Sequence, residues 1–230
     1  MLARWLTLAV VLLLLVAVPV LSWITARKPE LRHIPRIDLY VSAVFSQCLL
    51  AVLVMGVTWL VGPGFPAVGF RSVAQDQFWM WSLGLAGGAL VGLGLVIALE
   101  RLGLWPEESD LVQVLIPETR LEKLLAVLMV APTAAFCEEL LYRGFLFRQL
   151  LEWTDSVPWA LIISSLGFGL AHAYQGVHGM ARTALLGALL AVPLIRTGSL
   201  YPSMAAHFVI DAVALAWLGP RFLKPAPPEA

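Results

Sequence analysis

Charged residues are scarce in this sequence, since Asp, Glu, Lys and Arg make up only 13% of its 230 residues. A soluble domain usually carries about 25% charged residues. Hydrophobic residues reach 60%, and mean hydropathy is +0.86. This composition excludes an ordinary soluble domain with one anchor and indicates a polytopic membrane protein.

The sequence also lacks an excess of either charge sign, because 15 basic residues balance 15 acidic ones. A neutral chain has no electrostatic attraction for nucleic acid, so we expect no nucleic-acid partner. Cysteine is rare too: Cys48 and Cys137 are the two in the chain, and both lie in apolar segments. We expect buried, unpaired thiols, since the spacing resembles neither a disulfide framework nor a zinc finger.

Long apolar runs are abundant. A helix needs about 20 apolar residues to cross a hydrocarbon core of about 30 Å. Seven runs meet this length approximately, at about residues 5–25, 39–62, 77–99, 121–151, 157–175, 179–197 and 200–219. The predicted fold class is therefore all-α, a polytopic membrane helix bundle of about seven transmembrane helices.

Composition divides the chain into regions. Residues 1–105 hold about three N-terminal transmembrane helices, and residues 106–120 form a polar interfacial connector. Residues 121–219 form a second group of helices, and the proline-rich tail 220–230 is predicted to be disordered. The first span is longer than the apolar part of a signal peptide, and no small-residue cleavage site follows it. We therefore expect it to be retained.

Basic residues predict the orientation of the chain. They concentrate after the first span and after the third, at Arg27, Lys28, Arg32, Arg36, Arg101, Arg120 and Lys123. Loops rich in Lys and Arg remain in the cytoplasm. The pattern therefore predicts an N-terminus outside and a C-terminus in the cytoplasm.

The third span carries Gly84, Gly88 and Gly92 at four-residue spacing. Glycines so spaced lie on one helix face and allow a neighbouring backbone to approach closely. The spacing therefore predicts a helix-packing stripe.

Six polar residues inside the apolar spans indicate a functional site. A charged side chain at a helix centre costs about 2.5–3.5 kcal/mol on insertion and usually faces the bundle interior. The fourth span holds three of these residues, the fifth one and the seventh two: Glu138, Glu139, Arg143, His172, His207 and Asp211.

Helical spacing sorts these residues. Glu139 and Arg143 stand at i,i+4 with the acid first, the better orientation for an ion pair. Glu138 points about 100° away from Glu139 and so projects elsewhere. His207 and Asp211 share one face. Three helices thus present an acid, a histidine and a His–Asp pair, the groups needed to activate water and hold an oxyanion.

Three short motifs carry these residues: EELLYR at 138–143, FGLAH at 168–172 and HFVID at 207–211. They resemble, in order, the EExxxR, FxxxH and HxxxN motifs of the CAAX-processing and bacteriocin-processing (CPBP, or Abi) intramembrane protease family. That family includes the type II CAAX prenyl endopeptidase. The resemblance covers about residues 121–219 and makes this region the expected catalytic core, whereas the first three spans match only in being hydrophobic.

The resemblance implies an endopeptidase within the lipid bilayer. Its expected substrate is a membrane-associated or lipid-anchored protein or peptide. The expected location is the bacterial plasma membrane, with the site facing the cytoplasm.

The resemblance also implies a role for each site residue. Glu138 would be the general base that activates the attacking water, with His172 helping to bind and orient it. Glu139 and Arg143 would be the structural pair that orients the site. His207, with the residue one turn later, would stabilise the tetrahedral oxyanion.

Asp211 departs from the family pattern, which commonly has Asn at this position. A neutral amide can donate a hydrogen bond to an oxyanion, whereas an ionised carboxylate cannot. Asp211 must therefore be protonated by burial, hold His207 as a donating imidazolium, or bind a metal.

The sequence leaves a divalent metal such as zinc open, with Glu138, His172, His207 and Asp211 as its ligands. HExxH spacing is absent, and a metal-free glutamate mechanism uses the same residues, so we expect no cofactor. Two other functions also stay open: a non-catalytic immunity or scaffolding protein on the same fold, and a small transporter with Glu138 and His172 as a proton relay.

The depth of the site residues constrains the helix boundaries. Pro132 predicts an interruption of the fourth span. If 121–131 is an interfacial lead-in, Glu138 lies about 9 Å from the cytoplasmic side, near His172. His207 then lies too close to the outer side unless the sixth span is short or tilted.

Overall fold

The computed structural model describes residues 1–61, 64–106 and 110–219, and every regular element in these ranges is helical. The predicted disordered tail, residues 220–230, lies outside the described residues. The N-terminal half contains three long helices, which we name α1 (Leu2–Ala26), α2 (Arg36–Val61) and α3 (Gln75–Arg101). Short 3₁₀ turns, Pro29–His33 and Phe65–Val68, lie between them.

The C-terminal half contains five helices. They are α4 (Asp110–Leu115), α5 (Arg120–Thr154), α6 (Val157–Ala171), α7 (Gly176–Thr197) and α8 (Tyr201–Leu218). A 3₁₀ turn, Ala173–Gln175, joins α6 to α7.

Six helices within the described ranges are long and apolar enough to cross a membrane, and α6 is a shorter apolar helix of 15 residues. The prediction of an all-α membrane bundle with about seven spans is therefore confirmed.

Helix α5 begins with a reciprocal cap. The Thr119 hydroxyl accepts from the Glu122 backbone N–H at 3.1 Å, and the Glu122 carboxylate accepts from the Thr119 N–H at 2.8 Å. Such a capping box satisfies backbone donors that the first turn leaves without partners. It explains why the helix starts at Arg120.

The predicted interruption of this span at Pro132 is wrong, because α5 continues for 35 residues without a break. Its backbone widens into π turns at Ala126–Val130 and Glu139–Leu146. Pro132 lies in the first turn of the α-helical segment Ala131–Glu138, directly after the first π turn. The hydrogen-bond ladder already shifts there, so the missing proline N–H does not end the helix.

Helix α5 is the centre of the bundle. Its side chains Leu140 and Leu146 pack with Leu14 of α1, Val54 of α2 and Phe168 of α6 in one buried cluster. Helix α3 lies to one side and packs on α7 and α8 through a smaller cluster: Ala86, Leu190, Ala206 and Ile210.

The predicted glycine packing stripe on α3 is wrong. A Cβ atom built on Gly84, Gly88 or Gly92 meets no atom of the described residues within 4 Å. The helix packs instead through the face that carries Ser82 and Ala86. Small residues occur on both faces of α3, so their spacing did not indicate which face is buried.

The expectation of two buried thiols is half wrong. Cys137, on α5, is buried, whereas Cys48, on α2, is exposed; both are free. The difference follows the position of the two helices, because α5 is central and α2 has one face outside the bundle.

Candidate active site

Glu138 lies where four helices meet. Its Oε1 accepts a hydrogen bond from the Gln47 side-chain amide of α2 at 2.7 Å. Its Oε2 lies 3.8 Å from Nε2 of His172 and 3.8 Å from Nε2 of His207. The Glu138 and His172 side chains keep 13% and 14% of their surface exposed, so the carboxylate is not sealed off.

His172 is held in one ring orientation. It caps the C-terminus of α6, and its Nδ1 lies 2.8 Å from the carbonyl oxygen of Phe168. A carbonyl oxygen only accepts, so Nδ1 must carry the hydrogen. In the neutral ring the lone pair is then on Nε2, the nitrogen that faces Glu138. The Phe168 ring packs edge-on against His172, with the two ring centroids 4.6 Å apart.

Glu139 forms a buried ion pair with Arg143. The carboxylate is fully buried, and its Oε1 lies 3.1 Å from Nη1 of Arg143. The guanidinium also donates from Nε to the carbonyl oxygen of Gly187 at 3.3 Å and lies 4.0 Å above the Phe168 ring. These contacts, together with its attraction to the ring face, fix the charge of Arg143 in place.

The same carboxylate also holds His207. Nδ1 of His207 lies 2.8 Å from Oε1 of Glu139, so Nδ1 donates and Nε2 points to the other side of the ring. One of the three explanations left open for Asp211 was that it holds His207 as a donating imidazolium. The structure instead gives the shorter contact to Glu139, because Nε2 of His207 lies 3.4 Å from Oδ2 of Asp211.

Asp211 lies at the edge of the cluster. Its side chain retains 29% of its surface exposed, whereas Glu139 retains none. Asp211 is therefore the more exposed of these two carboxylates, both of which contact His207.

The local backbone positions these groups. Glu139–Leu146 is a π segment, and all of its residues are buried. A π segment turns less per residue than an α-helix and is frequent at functional sites. It begins directly after Glu138, so the two adjacent glutamates lie on either side of the change in helical winding.

The expected mismatch in depth is resolved by helix tilt. Helix α7 has 22 residues, so it is about 33 Å long. Upright helices would separate His172 from His207 by about 24 Å in depth. Since both rings lie 3.8 Å from one oxygen of Glu138, α7 and its neighbours must be strongly inclined to one another.

Sequence reasoning missed two residues of this site. Gln47 is an amide near the middle of an apolar span, and that position was a signal that could have been used. Gly187 carried no signal, because its role depends on tertiary contacts. A Cβ there would lie 3.0 Å from the Phe168 ring and 3.1 Å from Nη2 of Arg143, so glycine leaves room for the guanidinium.

The side chains as placed do not fit a metal ion. Within the described ranges, no group of three or more His, Cys, Asp or Glu side chains could hold one. We therefore derive no step through a metal.

These features define a class of protein: a polytopic helical membrane protein with acids and histidines gathered at one point of the bundle. Residues 120–213 match the family model described as type II CAAX prenyl endopeptidase Rce1-like. Residues 120–213 are therefore similar to this family, and the sequence resemblance is confirmed for that region. No curated protein and no solved structure matches the chain.

The family match has a clear position in the fold. It begins at the first residue of α5 and ends within α8, so it contains all six residues predicted for the site. It does not include α1, α2 or α3. Gln47 therefore reaches the cluster from outside the matched region.

Proposed function

We propose that this protein is an intramembrane endopeptidase that hydrolyses a peptide bond in a membrane-associated or lipid-anchored protein or peptide. Its main support is the convergence of Glu138, His172 and His207 from three helices. Both imidazole Nε2 atoms lie 3.8 Å from one carboxylate oxygen. The relation to a family of CAAX prenyl endopeptidases supports the same reaction class.

Glu138 is the general base in this proposal. A separation of 3.8 Å is too long for a direct hydrogen bond, and one water placed beside the two atoms can contact both. One water can donate to Oε2 of Glu138 and to the Nε2 lone pair of His172. Glu138 takes a proton as the water oxygen attacks the substrate carbonyl. It then gives that proton to the leaving amine. Such proton transfer contributes about 10²- to 10⁴-fold to rate.

His207 stabilises the oxyanion in this proposal. Its Nδ1 donates to Glu139, so a protonated ring presents an Nε2–H on the side of Glu138 and Asp211. Three carboxylates around one imidazole favour the positive ring. Asp211, unable to donate when ionised, supports the imidazolium through its charge rather than binding the oxyanion itself.

Glu139 and Arg143 orient the site without touching the substrate. Arg143 neutralises Glu139, and Glu139 fixes His207. The catalytic core is then residues 121–219, with 1–105 and the connector 106–120 as its support. The proposed location is a bacterial plasma membrane, and the distribution of basic residues supports a site that faces the cytoplasm.

An N-terminal peptide survey of host membranes tests the proposal. It compares wild type with Glu138→Gln at equal expression. New N-termini that disappear in the variant would support proteolysis and identify the substrate. Glu152→Gln is the matched control, because Glu152 lies on the same helix and pairs with Arg148 near the surface. Identical surveys for wild type and Glu138→Gln would refute the endopeptidase.

A further inference from the structure

Gln47 has an unusual environment for a residue of α2. It lies about 17 Å along the helix from Arg36, in the apolar middle of the span. A polar amide at this depth is costly unless it is hydrogen-bonded. Ser46, the residue before it, is different, because its hydroxyl bonds to the carbonyl oxygen of Ala43 in its own helix.

The contact between Gln47 and Glu138 has a defined direction. An ionised carboxylate only accepts, so the amide NH₂ of Gln47 must donate to Oε1 at 2.7 Å. Oε1 is thereby occupied, and Oε2 is the oxygen that remains for the two imidazoles. A charge-assisted hydrogen bond of this length is among the stronger ones in proteins.

The side-chain oxygen of Gln47 shows that the packing of α2 does not explain why an amide stands at this position. Oε1 of Gln47 is buried, and it has no hydrogen-bond partner among the described residues. A buried polar atom without a partner costs free energy and requires an explanation. The unpartnered oxygen of Gln47 therefore costs stability, whereas its NH₂ group binds the carboxylate of Glu138.

We propose that Gln47 is a positioning residue that fixes Glu138, keeping Oε1 occupied and Oε2 directed at His172 and His207. Its role in cleavage rests on the proposed function. The helix α2 then supplies part of the active site, although it lies outside residues 120–213 that match the protease family.

Gln47→Met is the informative variant, because it keeps the length of the side chain and removes both polar atoms. If Gln47 were merely structural, its loss would destabilise the protein. We expect little net change in the free energy of unfolding, because the hydrogen bond to Glu138 is lost while a buried atom without a partner is removed at the same time. Ser46→Ala is the matched control on the same helix.

A chemical probe tests the contact without any cleavage assay. Dicyclohexylcarbodiimide reacts with protonated carboxylic acids in apolar surroundings, and mass spectrometry of the full-length protein locates the label. A carboxylate that loses a hydrogen-bond donor is protonated more readily. We expect label at Glu138 to form about threefold faster or more in Gln47→Met, and at the wild-type rate in Ser46→Ala.

Cleavage gives the second readout. On a peptide spanning a site found by the N-terminal survey, Gln47→Met is expected to lower kcat about 10- to 100-fold, with KM within about twofold. The KM is preserved because Gln47 acts on Glu138 and not on the substrate.

The two proposals fail separately. Label at Glu138 forming at the wild-type rate in Gln47→Met overturns the role of Gln47, whatever happens to cleavage. Faster labelling together with N-termini that do not depend on Glu138 refutes the endopeptidase and leaves the positioning of Glu138 by Gln47 supported. A fall in kcat with equal labelling also counts against the proposal, since the variant would then act by another route.

Discussion

The N-terminal and C-terminal halves of this protein use the same apolar composition in different ways. In the most apolar windows of α1, α2 and α3, 22%, 22% and 17% of residues are buried inside the protein. In α5 the share is 44%, although α5 is the less hydrophobic helix. Apolar side chains in the N-terminal half therefore face mainly outward, whereas more of the side chains of α5 pack against other helices.

The difference shows where a membrane protein can place charge. Glu139 and Arg143 lie on the most buried helix, each within reach of a partner. Comparable charged residues of the N-terminal half stand near helix ends, such as Asp38 and Asp76 in first turns. Four predictions test this contrast.

The largest effect is expected for acid-to-amide changes in the two halves. Glu138→Gln should lower the rate of cleavage about 10²- to 10⁴-fold, because the amide cannot accept the proton from water. Asp76→Asn, at the start of α3, should leave the rate unchanged. Kinetics on a peptide substrate measure both. Equal losses of rate in both variants would show that Glu138→Gln acts by disturbing the fold rather than by removing the base.

The next effect concerns two arginines in ion pairs. Arg143→Met leaves the buried Glu139 with His207 but without its cationic arginine, and should cost about 3–5 kcal/mol of unfolding free energy. Arg36→Met breaks a pair with Glu118 that is partly exposed, and should cost about 0–1 kcal/mol. Unfolding of purified protein in detergent measures the difference. Adding Glu139→Gln to Arg143→Met should recover part of the loss; no recovery would contradict the pairing.

A smaller effect is expected for two glycines. Gly187→Ala crowds Phe168 and Arg143 and should cost about 1–3 kcal/mol. Gly88→Ala meets open space and should stabilise its helix by up to about 1 kcal/mol. Thermal unfolding of both variants gives the comparison. Destabilisation by Gly88→Ala would restore the packing stripe that the sequence predicted.

The smallest perturbation is chemical labelling of the two cysteines. A lipid-soluble maleimide should modify exposed Cys48 in the folded protein and leave buried Cys137 unmodified until the protein unfolds. Mass spectrometry of digested protein measures each site, and Cys48→Ser should remove the label. Equal labelling of both thiols would mean that α5 is not shielded by its neighbours.

Much of the fold was predictable because membrane spans depend on local composition. Helix lengths and the i,i+4 pairs Glu139–Arg143 and His207–Asp211 follow from one helix at a time. Contacts between helices were not predictable from such patterns. The bond from Glu139 to His207 joins residues 68 apart, and that from Gln47 to Glu138 joins residues 91 apart.

Two errors have the same physical origin. The glycine face of α3 and the burial of Cys48 both depend on which side of a helix meets the bundle. An amphipathic helix in water reveals that side by its polar residues. A helix in lipid has apolar side chains on both sides, so composition around its axis carries little information about packing. Where polar residues do occur in the spans, as in the three motifs, the inward side was identified.

The short helix that ends at His172 has a consequence for the surrounding bilayer. Its 15 residues are about 22 Å long, whereas a hydrocarbon core is about 30 Å thick. The chain then leaves regular helix at Ala173–Gln175, and such backbone at membrane depth requires protein or water around it. We therefore expect the bilayer to be thinner beside α6. A thinner bilayer brings the aqueous boundary closer to His172. It also shortens the path that a hydrolytic water takes from the bulk solvent to the site.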